Sequence, residues 1–569
     1  MASPDFPEPP PSVPATSLDV CDQKLERLAK NATAWVDVSI PERIALLRRT
    51  AQCLEEVAEQ WVEAACRAKG ITPGTTLEGE EWLGGPMTFV RNVRLLIEAL
   101  EAGGQPRLPG VRQKPDGQFV ARVFPMNTLD KIMFGGFEAD VYIEPGQPAS
   151  QGKLYREKAA GKAQPGGVGL VLGAGNVASI GPMDALYKLF VDDEVVILKT
   201  NPVNAYLGPF IERALAPFGE RGFFEVVHGG AEVGAHLTDH PLVHSIHITG
   251  SDRTHDAIVW GTDPEEVARR KAANEPRNTK PISSELGAVT PILVVPGAWS
   301  DADIDFQARN VASMVTNNAS FNCNAGKILV TAKGWPLRER FLQRVHEVLA
   351  SLPPRKAYYP GAEQRYQGFL DNYPNAHPVG EDRDGVVPWT IIPDVPPVKG
   401  EYALTNEAFC GILAETSLDV ADAAAFIPAA TEFANESCWG SLSCMMLIDE
   451  DTKRSNAAAF EASLDSLRYG GIAVNCWAGM IYGLVVTPWG AHPGHTLHDI
   501  QSGRGVVHNT VMLDHVQKTV VRAPFRIKPT PAWFADNKTL HELGRALTRF
   551  EATGSLARLP AVIWAALRG

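Results

Sequence analysis

The 569-residue sequence predicts an α/β protein with two parallel-sheet domains. Two alternations of short apolar strands with helical stretches carry the prediction, one over residues 168–249 and one over 285–474. Short strands that are apolar throughout have no polar face to show water, so both faces of each sheet must be covered. Length is the third observation: a chain of this size exceeds one ordinary core, so two or three domains are expected.

The elements follow in order. Residues 1–16 are Pro-rich, lack the apolar core of a signal peptide, and read as a disordered tail. Apolar residues spaced by three and four predict a helix over 41–69, with Pro41 suited to its start and Gly70 to its stop. A second helix is expected over 87–100, and alternation predicts strands over 118–124 and 139–143. Gly, Pro, Gln and Lys make 144–167 a loop or linker. The first alternation then runs through strands at Val168–Leu172, 195–198, 224–227 and 245–249, with helices over 184–190, 207–216 and 232–237. The second has strands at 291–295, 328–331, 412–415 and 445–448. A further strand is expected over Val516–Arg522 and an amphipathic helix over 537–550. No repeat of fixed period is present.

Composition narrows the function. With 45% hydrophobic and 21% charged residues the chain reads as a soluble globular protein. The net charge of −13 argues against a nucleic-acid partner. Eight cysteines without CxxC pairs form no disulfide framework, and a reducing cytoplasm is the expected setting. No apolar run is long enough to span a membrane, the terminal 559–567 stretch included.

Cys323 is the most informative residue. It lies in an Asn-rich, small-residue turn, 317–326, ahead of an apolar strand. Upstream, Ser284-Glu285-Leu286-Gly287 leads into another strand. A thiol and a carboxylate on neighbouring turns suggest covalent catalysis followed by hydrolysis. Gly173-Ala174-Gly175 after a strand is a weak dinucleotide fingerprint, since the last glycine and the acidic partner are missing. Thr249-Gly250-Ser251 is a second strand-to-turn signal, in which Gly250 permits close approach of a ligand and Ser251 either meets a phosphate or caps a helix. His492, His495 and His498 have the spacing of a metal cluster, but Pro493 and Gly494 oppose a regular helix, and no metal site is assigned.

These pieces, in this order, resemble the aldehyde dehydrogenase superfamily over residues 40–523. Ser284-Glu285-Leu286-Gly287 is similar to its Glu motif and 318–326 to its Cys motif. Asn176 falls in the family's Asn motif and Lys199 ends the matching strand. Glu407-Ala408-Phe409 matches Glu-x-Phe, and Asn475 the late strand. The resemblance implies two α/β domains plus a small β oligomerisation arm: a nucleotide-binding domain over 17–117 and 165–284, the arm over 118–164 and 481–523, a catalytic domain over 285–480, and a C-terminal extension over 524–569. It implies that Cys323 attacks an aldehyde, that Asn176 and the Cys323 N–H hold the oxyanion, and that Glu285 activates water. Lys199, Gly250, Ser251, Leu286, Glu407 and Phe409 would bind NAD or NADP, with Lys199 and Glu407 on the two riboses. Trp477 and Trp489 are candidates to line the pocket of an apolar aldehyde. A homodimer or a dimer of dimers is expected.

Several departures matter. Pro202 stands where NAD-preferring members often carry a Glu, so NADP is expected to be tolerated, with NAD the single choice if one is made. Ser320-Phe321 replaces the usual Gly-Gln before the nucleophile, and Ala288-Val289 the usual Gly-Lys after Glu-Leu-Gly. Coenzyme A instead of water as acyl acceptor, and a catalytically silent relative, remain as alternatives; retention of Glu285 argues for water.

Overall fold

The computed structural model describes residues 6–162 and 164–569. Its strands are β1 (Gly110–Gln113), β2 (Phe119–Phe124), β3 (Glu138–Ile143), β4 (Val168–Leu172), β5 (Val195–Lys199), β6 (Phe224–Val227), β7 (Val243–Gly250), β8 (Ile282–Leu286), β9 (Pro291–Val294), β10 (Ile328–Ala332), β11 (His377–Pro378), β12 (Thr390–Ile392), β13 (Ile412–Leu418), β14 (Ser443–Leu447), β15 (Gly471–Val474), β16 (Trp489–Gly490), β17 (Gly503–Arg504), β18 (Val506–Val507) and β19 (Val516–Arg522). A six-stranded sheet has the order β17-β8-β7-β4-β5-β6, an eleven-stranded sheet the order β1-β2-β3-β19-β15-β14-β9-β10-β13-β12-β11, and β16 pairs with β18.

In the first sheet β8 to β6 are parallel. The chain leaves β4 toward β5 and β6 on one side and returns to β7 and β8 on the other. That reversal opens a crevice at the carboxyl ends of β4 and β7, the usual ligand site of a doubly wound sheet. Gly173-Ala174-Gly175, Lys199 and Gly250-Ser251 all stand at this edge. Glu285, near the end of β8, is there too. The second sheet has a parallel core from β15 to β12. Cys323 lies just before β10, so the carboxyl edge of the first sheet faces the amino edge of the second across the site.

Helix Ile40–Ala68, which follows the first helix Leu18–Val36, starts at a capping box. Ser39 Oγ accepts from the Glu42 N–H, and Glu42 accepts from the Ser39 N–H. It ends at Lys69, and Gly70 turns away with φ +69°. At the other end of the chain, helices Leu540–Thr553 and Leu559–Leu567 form a hairpin on helices Glu78–Trp82 and Thr88–Glu101. Close approach requires glycine at two points: a Cβ on Gly79 would overlap Leu540, and one on Gly544 would lie 2.5 Å from the Trp82 Cβ. Glu551, buried on this hairpin, pairs with Arg91 at 2.5 Å and Arg94 at 2.6 Å.

Four expectations are revised. Glu285 is in strand β8 rather than on a turn, so a boundary at 284/285 cuts a strand; the short run Ile282–Leu286 lacks enough apolar residues to announce itself. The arm strands pair with one another as expected, β2 with β3 and β3 with β19, but they do not stand apart: β19 also pairs parallel with β15, so they continue the eleven-stranded sheet. Loop 144–167 contains a helix, Lys153–Ala159, held by the buried Tyr155, whose hydroxyl donates to Phe190 O at 2.8 Å. Residues 1–5 of the expected tail lie outside the described residues. Residues 6–16 run along the body, where Thr16 exchanges hydrogen bonds with the His228 backbone at 2.9 Å; a Pro-rich segment has little entropy to lose on ordering.

Candidate active site

The cysteine loop begins where helix Asp301–Thr316 stops. Asn318, Ala319 and Ser320 have φ of 53°, 55° and 69°, three successive left-handed residues without a glycine among them. Such backbone costs about 1–3 kcal/mol per residue and persists only where neighbours impose it. The neighbours are polar and buried. Asn318 Nδ2 donates to Asn176 O at 3.1 Å, Phe321 O at 3.2 Å and Asn322 Oδ1 at 3.1 Å. Lys69 Nζ donates to Asn318 Oδ1 at 3.1 Å, Asn176 O at 2.8 Å and Glu81 at 2.9 Å. Tyr358 OH adds a bond to Asn318 Oδ1 at 2.9 Å. Lys69, the C-cap of helix Ile40–Ala68, thus anchors both the Asn176 turn and the cysteine loop.

Cys323 is partly exposed at the end of this loop, and Glu285 is buried against it. Burial pushes the Glu285 carboxyl up to about 8; contacts with the Cys323 thiol and the Trp489 indole pull it down, and Asp184 and Glu407 push it further up. The thiol is raised by burial and then by Glu285, while Lys327 lowers it. Both groups are therefore held toward their protonated forms. Asn176 Nδ2 donates to Phe321 O at 2.9 Å, which uses one of its two N–H groups beside Cys323.

Two cavities meet at this pair. One, about 1200 Å³, runs from Trp260 and Gly250 past Lys199 to Cys323 and Glu285. Lys199, Gly250, Ser251, Leu286, Glu407 and Phe409 all line it. The other, about 190 Å³, opens on the opposite side of Cys323 and Glu285. Its walls include Met87, Trp477, Met480, Trp489, Leu540 and Leu547, so the C-terminal hairpin closes it from within the same chain.

The large cleft suits a dinucleotide. Burial pushes Lys199 down to about 8, and its ammonium has no carboxylate partner among the described residues, only Thr200 O at 3.4 Å. Such a cation needs an external oxygen partner. A Cβ at Gly250 would meet only Ile248, at ordinary contact distance, so no protein neighbour demands glycine there. Gly175 is different: a Cβ would come within 2.8 Å of Asn201, so this glycine serves the turn itself. Ser251 caps helix Asp252–Trp260 through the Thr254 N–H at 3.2 Å. Phe409, at φ +40°, packs on Tyr359 and Phe321.

Sequence reading missed Lys69, Asn318, Lys327 and Arg365. Arg365 lines the cleft, stacks on Phe409 and, among the described residues, donates only to the backbone oxygens of Pro360 and Phe409. Nothing local in the sequence marks it, whereas Lys327, four residues past the nucleophile, was visible. The three histidines of 492–498 do not converge: His495 bonds Ser441, His498 bonds Asn274, and His492 meets Pro493 O.

Residues 146–363 match the model of the Aldehyde dehydrogenase family. Two solved structures with the same fold are an NADP-dependent glyceraldehyde-3-phosphate dehydrogenase from Bacillus halodurans complexed with NADP (TM-score 0.60, 19% identity, 90% of this chain and 92% of that one) and a Mycobacterium tuberculosis aldehyde dehydrogenase complexed with NAD+ (TM-score 0.61, 16% identity, 91% and 92%). A curated Staphylococcus aureus (strain MW2) relative, "Putative aldehyde dehydrogenase", is 30% identical over 165 residues, which is 28% of this chain. That match spans 30% of the relative's own length. The fold is that of the aldehyde dehydrogenases, and residues 146–363 match the model of the family that the motifs resemble.

Proposed function

We propose that the protein oxidises an aldehyde to a carboxylate, with NAD or NADP as acceptor. The observation that carries this reading is the meeting of a dinucleotide-sized cleft and a small apolar cavity at Cys323 and Glu285. The Cys323 thiol releases its proton to solvent, and the sulfur bonds to the aldehyde carbon. The resulting oxyanion is held by the free N–H of Asn176 and the Cys323 backbone N–H. The dinucleotide, when bound, supplies the acceptor for the hydride that leaves this carbon. Cys323 is left as a thioester. Glu285 then takes a proton from water, the water oxygen bonds to the acyl carbon, and the carbon–sulfur bond breaks to release the carboxylate. Lys199, Glu407 and Arg365 hold the dinucleotide through its hydroxyls and phosphates. Gly250 and Ser251 border the phosphates, and Leu286 and Phe409 the nicotinamide end.

The aldehyde is apolar. Thioether, indole and aliphatic groups contribute to the walls of the small cavity, and its cations Lys69 and Arg91 are paired with Glu81 and Glu551. The site of action is the cytoplasm, consistent with eight unpaired cysteines; among the described residues no helix is long and apolar enough to cross a membrane. Assembly is a homodimer or a dimer of dimers, for which the exposed edge strand β1 offers unpaired backbone groups. The deciding experiment mixes an aldehyde panel with each cofactor, with and without coenzyme A. Aldehyde-dependent NAD(P)H, lost in Cys323→Ala and unchanged by coenzyme A, is the expected result. Strict dependence on coenzyme A would assign an acylating enzyme, and no NAD(P)H with any aldehyde would overturn the reading.

A further inference from the structure

Lys327 lies four residues beyond the nucleophile and is 3% exposed. Its backbone is locked into the second sheet: its N–H donates to Thr290 O at 3.0 Å, and its carbonyl accepts from Ala414 at 2.9 Å. The side chain turns back toward the site. Its ammonium donates to Cys323 O at 3.0 Å and Asn322 O at 3.2 Å, and pairs with Glu407 at 3.0 Å. The ammonium thus hydrogen-bonds two carbonyls of the nucleophile loop and forms an ion pair with one cleft carboxylate. Glu407 is in turn pressed over Gly287, where any Cβ would overlap its carboxylate. A buried ammonium needs this many acceptors to remain charged, so the site contains a fixed cation that is not part of the cofactor.

We propose that Lys327 is a positioning residue that ties the cysteine loop to Glu407, supporting Cys323 as the thiolate and holding Glu407 at the cofactor cleft. The proposal rests on Cys323 being the nucleophile. The charged and titratable groups facing the thiol are Glu285 from β8, Glu407 from the segment after helix Tyr402–Thr405, Tyr482 from helix Gly479–Leu484, and Lys327 itself. Of these only Lys327 is positive.

The test is alkylation of Cys323 by iodoacetamide in the full chain, read peptide by peptide by mass spectrometry between about pH 6 and 10 without aldehyde. Lys327→Met should raise the midpoint by about one pH unit or more, the size expected for losing an opposite charge at this range. Glu407→Gln leaves the cation unneutralised and should lower it. Lys327→Arg should return the midpoint to the wild-type value. Midpoints that stay put, or that move the same way in Lys327→Met and Glu407→Gln, overturn the proposal. If Lys327→Met does not fold by circular dichroism, the Glu407→Gln arm decides: an unmoved or raised midpoint refutes it. Opposite shifts in a protein that oxidises no aldehyde would leave this coupling intact and refute only the dehydrogenase reading.

Discussion

Replacing Glu285 by Gln should make the protein more stable and less active at once. Burial holds the Glu285 carboxyl near 8, against its ordinary value of 4.5. Between those values the unfolded chain releases a proton that the folded chain keeps, so wild-type stability falls as pH rises from about 4.5 to 8 and levels off above. Glutamine is neutral in both states and carries no such slope. At pH 7 the gap from 4.5 is about 2.5 pH units, each worth about 1.4 kcal/mol, so the variant should gain about 3 kcal/mol. The gain should vanish near pH 4.5 and be largest above pH 8. Chemical denaturation across pH, with both proteins in one buffer series, measures it. Kinetically the variant should keep a single-turnover burst of NAD(P)H and accumulate a thioester on Cys323, visible as a mass increase. Wild-type steady turnover should climb with pH through about 8 as the base ionises. Parallel stability curves for the two proteins, or turnover flat from about pH 6 to 9, would refute the assignment of Glu285 as the buried base.

Asn176→Ala should lower kcat by about 10² to 10³, the usual loss for one oxyanion donor, with the dinucleotide KM unchanged. Lys199→Met should raise the KM for NAD and NADP with little effect on kcat. In the wild type that KM should rise above about pH 8, because Lys199 is pushed down to about 8 and loses its charge there. Leu547→Trp should fill the apolar cavity, cutting kcat/KM for long aldehydes at least about tenfold while sparing acetaldehyde, as expected when a packed wall loses room; equal losses for both would remove the C-terminal hairpin from substrate selection.

Most of the parallel strands were legible in the chain itself, because a strand buried on both faces must be apolar along its whole length. Val168–Leu172, Phe224–Val227 and Val516–Arg522 coincide with their expected bounds, and the termini of others moved by one to three residues. Cys323, Asn176, Lys199 and Gly250 stood out as candidates because each follows or precedes such a run, and all four line the large cleft. Glu285 was recognisable by its motif, but its strand was hidden by the polar pair Ser283-Ser284.

What tertiary structure alone decided are the relations between distant segments. Lys69 reaches Asn318 across 249 positions, and Glu551 reaches Arg91 across 460. No local pattern encodes such pairs, because burial, not periodicity, selects them: a buried charge or left-handed turn persists only where remote groups satisfy it. The same holds for the arm strand, whose edge is equally suited to its own sheet or another's until the packing brings β15 beside β19. The chain wrote its elements and its candidate reacting groups locally. The proton-holding environment of Glu285, the cation beneath the nucleophile and the closed apolar cavity came only from the low-dielectric interior that folding assembles.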